Sequence, residues 1–163
     1  MKLNKIIKSL SKVQLSDYYH SLSWKRNCNR LFKRSLSKLD FLNAVKWCGT
    51  NGNVARTVKT EYFEEFVDYL YVHRKDIESG TFDFKNIRVF GLTKPISWVS
   101  KVCHILYPKM YPIIFDRNTR IYFGVKTLNE FIEKMFSLRG NIILAKNIFK
   151  YDSAIWAKMN HNL

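Results

Sequence analysis

Apolar positions along this chain recur every three or four residues far more often than every two, which predicts helices through most of its length. Leu3, Ile6, Ile7 and Leu10 form one stripe, and Trp24 to Lys33 reads as a second, short helix. Leu39, Leu42, Val45 and Trp47 mark a third, with Gly49 placed to end it. Asn51-Gly52-Asn53 makes a turn before another short helix over 54–59. The strongest periodicity runs from Thr60 to Glu78. Phe63, Phe66, Val67, Leu70 and Tyr71 share one face there. Thr60 is placed to cap this helix, and Glu61, Glu64 and Glu65 lie where the helix dipole favours anions. Ser79-Gly80 stops the run.

The second half of the chain continues in the same way. FDFKNIRVF (82–90) fits a strand or a short helix, and Gly91 breaks it. Pro95 suits the first turn of a helix that runs to about Tyr107, before Pro108. In that helix Ile96, Val99, Val102, Cys103 and Leu106 have core spacing. A further short helix is expected from Asp116 to Gly124. Leu128 to Leu138 follows, with Phe131, Met135 and Leu138 on one side, and a last helical stretch covers 141–158. No repeat, linker or low-complexity segment interrupts the pattern. The expectation is all-α: a single compact domain, 1–163, of many short helices with short connections.

Composition supports a folded chain, with 47% apolar and 15% aromatic residues among 163. No apolar run approaches the roughly 20 residues that span a bilayer. The opening MKLNKIIKSLSK alternates lysine with short apolar pairs, without the continuous core of a signal peptide. Three cysteines form no C-x-x-C pair, and four histidines stand at no ligand spacing, so neither a metal nor a cofactor is expected. These features predict a cytoplasmic (or nucleoid or nuclear) protein, not a secreted one and not a membrane protein.

Charge changes the picture more. The chain carries 28 Lys/Arg against 13 Asp/Glu, a net charge of +15. Residues 1–60 hold 13 of the cations and only two acids, Asp17 and Asp40, so the basic character is concentrated in the first helices. Such a balance predicts attraction to a polyanion, most often nucleic acid.

Candidate chemistry lies in GLTKPISWVSKVCHILYPKMYPIIFDRNTR, residues 91–120. Gly91 supplies a turn. The start of the helix after it offers backbone N–H groups to a phosphate, with Thr93, Lys94, Ser97 and Lys101 around them. After an apolar run, Asp116 precedes Arg117 and Arg120. An aspartate there is a favoured N-cap, and a capping aspartate can also face a ligand, so both roles stay open.

The order of hairpin, helix, short link, apolar run and aspartate resembles the helix–hairpin–helix superfamily of DNA glycosylases. VFGLTKPISWVSK stands for the hairpin and second helix, and YPIIFD for the segment that ends in the family's aspartate; the match covers about residues 82–124. The resemblance implies grip on double-stranded DNA backbone by Gly91, Thr93, Lys94, Ser97 and Lys101, with Arg117 and Arg120 beside the site. It implies a nucleotide flipped into a pocket, and Asp116 activating water or stabilising the sugar cation as the base leaves. Trp98, in the second helix of the motif, is the candidate for stacking on that base; Trp24, Trp47, Tyr62 and Trp156 are candidates by type alone. Thr93 stands where the family has a second glycine. Pro95 stands where some members have a nucleophilic lysine, so a monofunctional enzyme that uses water is implied. The family's cluster cysteines are absent, and no iron–sulfur cluster is implied. The alternative is a non-catalytic basic nucleic-acid-binding or partner-binding protein on a degenerate glycosylase fold.

Overall fold

In a computed structural model, residues 36–50, 62–87, 95–107 and 110–139 are described. They form six α-helices: α1 Lys38–Thr50, α2 Phe63–Val72, α3 Arg74–Ser79, α4 Pro95–Leu106, α5 Arg117–Phe123 and α6 Leu128–Leu138. One 3-10 turn, Phe84–Asn86, lies between α3 and α4, and no strand occurs among the described residues. The all-α expectation holds. The stretches expected as helices over 3–10, 24–33, 54–59 and 141–158 lie outside the described residues.

Local chemistry explains several helix ends. Ser37 starts α1: its N–H and its Oγ–H both donate to Asp40 Oδ2 at 2.8 Å, and Asp40 N–H points back at Ser37 Oγ. Gly80 ends α3 and Gly124 ends α5, each in the left-handed conformation (φ 78° and 68°) that a side chain disfavours. Thr127 and Glu130 form a reciprocal capping box at the start of α6.

The long helix expected from Thr60 to Glu78 is instead two, interrupted at His73, with Thr60 itself outside the described residues. Local and more distant contacts gather at the break. The His73 ring packs against Tyr69 and Phe82, at 4.8 and 5.8 Å between centroids. Arg74 donates to the Tyr71 carbonyl at 3.0 Å and covers the Tyr71 ring. A carbonyl at a helix end needs a donor, and the arginine supplies it.

The core is one continuous cluster of buried side chains. Phe41, Ala44 and Val45 of α1 meet Phe66, Val67 and Leu70 of α2, and α1 also packs on α4. Each fully buried Phe or Leu contributes about 1.5–3 kcal/mol relative to exposure. Lys38 of α1 and Asp68 of α2 pair across the exposed edge of that contact. FDFKNIRVF, left open between strand and helix, supplies the 3-10 turn. Asp83 opens the turn by accepting from Lys85 N–H at 2.8 Å. Phe84 is thereby driven inward, edge-on to Tyr111 and Phe131.

Candidate functional site

Asp116 is delivered by a segment, 111–115, that belongs to no helix or strand and bends at Ile113. Two side chains of α4 hold it. Ser100 and His104 are both buried, and they stand four residues apart, on one face of the helix. Ser100 Oγ donates to Ser97 O at 3.0 Å and accepts Phe115 N–H at 2.9 Å. His104 Nδ1 lies 2.6 Å from Tyr111 O. A carbonyl oxygen can only accept, so Nδ1 carries the proton. At the far side of the segment the Tyr111 hydroxyl reaches Asp76 O at 3.5 Å. Burial pushes the Tyr111 phenol far above its ordinary pKa, so it stays a neutral donor. Within the segment Ile113 and Ile114 are buried, and Phe115 meets Phe131 at 4.8 Å.

The backbone at Asp116 is extended (φ −122°, ψ 177°), and Oδ1 accepts Thr119 N–H at 2.7 Å. This is the N-cap geometry expected from sequence. The side chain is nevertheless half-exposed, while Thr119 beneath it is buried. The carboxylate is therefore fixed in direction and still reachable from solvent.

Arg117 and Arg120 follow on the exposed side of α5. They line a cavity of about 350 Å³ together with Ile121, Gly124, Val125 and Lys126. Gly124, in the left-handed conformation, turns the chain so that Lys126 joins the two arginines in the lining of this cavity. Arg120 Nη2 donates to Lys126 O at 3.1 Å, and its guanidinium carbon sits 5.3 Å from the Phe115 ring centre. Glu130 accepts N–H bonds from Lys126 (2.6 Å) and Thr127 (3.2 Å). Those two donors hold its carboxyl below the usual carboxylate range.

The remaining candidates divide. Gly91, Thr93 and Lys94, the turn of the expected hairpin, lie outside the described residues, as do Trp24 and Trp156. Ser97 and Lys101 are half-buried on α4, Tyr62 is half-buried at the start of α2, and Trp47 lies on α1. Trp98 is 2% exposed. Its ring stacks on Phe63 at 5.8 Å and 17° and leans on Phe66 at 5.4 Å, and its Nε1 has no partner among the described residues. In this structure Trp98 fills the α2–α4 contact and faces no open cleft.

Three residues that matter were not singled out from the sequence. Ser100 and His104 carried a weak signal, two polar residues at i and i+4 inside an apolar helix. Lys126 was hidden because its relation to Arg117 and Arg120 depends on the turn at Gly124. Among the described residues no group of His, Cys, Asp or Glu could hold a metal ion, and no helix is long and apolar enough to cross a membrane.

Searches of family models, curated proteins and solved structures found no match to this chain.

Proposed function

We propose that this protein binds duplex DNA and excises a damaged or modified base, with Asp116 acting on water and on the sugar. One observation carries the reading: a half-exposed aspartate, fixed by Thr119 N–H, begins a short helix whose next exposed residues, Arg117 and Arg120, line a basic cavity. The +15 charge of the whole chain supports a polyanionic partner. In this reaction a nucleotide leaves the stack, and the bond from C1′ to the base breaks as positive charge builds on the sugar. A carboxylate held in place beforehand stabilises that charge at no reorganisation cost. It then accepts the proton of the attacking water. Ser100 and His104 act at one remove, as positioning residues that hold segment 111–115.

The test separates chemistry from capping. Asn caps a helix about as well as Asp, so Asp116→Asn removes the charge and keeps the N-cap. Single-turnover base release is measured on duplexes bearing a panel of lesions. The expected result is release from at least one lesion by wild type, reduced by about 10²–10³ or more in Asp116→Asn, the scale seen when one such electrostatic group is lost. Absence of release from every lesion, or a variant as fast as wild type, refutes the catalytic claim.

The second reading, a basic protein that binds nucleic acid without chemistry, is favoured by the complete cap geometry of Asp116, which accounts for an aspartate there without catalysis. It predicts salt-sensitive binding, with log K falling linearly in log salt, and no functional effect of Asp116→Asn.

A further inference from the structure

We propose that the cavity at the end of α5 holds one nucleotide of a nucleic acid strand. Arg117, Arg120 and Lys126 take its phosphate, and Ile121 and Val125 take the face of its sugar or base. The choice of a strand as partner rests on the function proposed above; the site itself rests on four observations of its own.

The first is convergence. Arg117 and Arg120 are three residues apart on α5, and Lys126 returns to them past the left-handed Gly124, so three basic residues line one cavity. The second is the use made of the nearby carboxylates. Asp116 Oδ1 takes Thr119 N–H, and Glu130 takes the N–H groups of Lys126 and Thr127. Among the described residues no ion pair joins any of the three cations to a carboxylate. Glu130 offsets part of the Lys126 charge; the repulsion that remains among the three is lowered by a bound anion. The third is preparation. Arg120 is anchored to Lys126 O and lies over the Phe115 ring, which removes part of the entropy cost of fixing a long side chain when a ligand arrives. The fourth is apolar surface beside the charge. Ile121 is 54% exposed, and Val125 is buried beneath the same wall. A site for a bare inorganic anion has no use for such a wall, whereas a sugar or a base does.

Size limits the occupant. Small-molecule cavities run from about 300 to 1,000 Å³. At about 350 Å³ this one lies at the small end, suited to a single nucleotide. A planar guanidinium makes paired N–H bonds to phosphate oxygens, and the ammonium of Lys126 adds a point charge.

The experiment uses the full chain and titrates four probes by calorimetry or NMR: a nucleoside 5′-monophosphate, the same nucleoside without phosphate, inorganic phosphate, and a short single-stranded oligonucleotide. The monophosphate is expected to bind at least tenfold more tightly than the nucleoside or inorganic phosphate. The oligonucleotide is expected to displace it, which marks the occupant as part of a strand; failure to displace it overturns the strand assignment. Arg117→Gln and Lys126→Gln, at exposed positions, are expected to weaken the monophosphate several-fold each with thermal stability unchanged. Ile121→Ser is expected to weaken the monophosphate and leave inorganic phosphate unaffected. Each lost cation is expected to make the slope of log K against log salt for duplex binding shallower by about 0.9.

A nucleoside that binds as well as its monophosphate, or folded Arg117→Gln and Lys126→Gln variants that bind every probe like wild type, overturns the inference. Its failure and that of the proposed function are separable. Duplex binding with an unaltered salt slope in those variants retains the function and removes this site. Nucleotide binding here without base release from any lesion retains the site and removes the enzyme.

Discussion

Ser100→Ala tests whether the segment that delivers Asp116 is held by α4. The substitution keeps the volume of the side chain nearly constant and removes the oxygen that accepts Phe115 N–H at 2.9 Å. A buried donor stripped of its acceptor costs about 1–3 kcal/mol. Phe115 is half-buried, so water can partly replace the lost bond, which puts the cost in the lower half of that range. Alanine is also the better helix former by a few tenths of a kcal/mol, which offsets part of it. The net expectation is a loss of about 1 kcal/mol, or about 2–4 °C in Tm for a chain of this size. Urea denaturation reads the stability, and amide hydrogen exchange at Phe115 reads the bond itself. Exchange there is expected to accelerate more than at Val102 or Val99, which lie inside α4. A functional consequence follows as well: base release or duplex binding by this variant falls although Asp116 is untouched. Stability within about 0.3 kcal/mol of wild type, together with unchanged Phe115 exchange, would show that the segment is positioned by its apolar burial and not by Ser100.

Three further outcomes are expected. Asp116→Ala destabilises by about 1 kcal/mol, while Asp116→Asn costs little, because only the alanine removes the acceptor of Thr119 N–H; equal losses in thermal melts would argue against capping. Glu130 titrates below its ordinary range in the folded state because Lys126 and Thr127 N–H groups stabilise the carboxylate. Its contribution is therefore present above the unfolded carboxylate pKa and lost as pH falls through the lower folded value, and Glu130→Gln should flatten the acid side of the stability curve. Burial, aided by Glu78, pushes Tyr107 up to about 12. The stability linked to its neutral form is complete below the ordinary tyrosine pKa and declines as pH rises from there toward 12, so Tyr107→Phe should resist alkaline unfolding better than wild type, followed by tyrosinate absorbance and circular dichroism.

Much of the local architecture was legible in the sequence by itself. Helix periodicity placed α1, α4 and α6, and turn chemistry placed the glycine ends at Gly80 and Gly124. Asp116 was legible as the start of α5, because capping depends on residues only three apart in the chain. The core face of α4 was legible for the same reason: Val99, Val102, Cys103 and Leu106 repeat at the helical period, and all are buried. The charge of the whole chain pointed to a polyanion without any knowledge of shape.

Tertiary structure decided the rest, wherever the partner of a residue lies far along the chain. At the break at His73 the ring packs on Phe82, nine residues on, and an amphipathic stripe that runs through both helices gives no sign of it. Trp98 shared its helix with the candidate phosphate ligands, yet Phe63 and Phe66 enclose it. Ser100 and His104 looked like interruptions of an apolar face until segment 111–115 was seen to lie across them. Arg117 and Arg120 were legible as candidates beside Asp116, but Lys126 was one basic residue among 28 until the turn at Gly124 placed it on the same cavity. Periodicity and capping are properties of neighbours in sequence, whereas a site is a property of neighbours in space, and only packing determines which side chains those are.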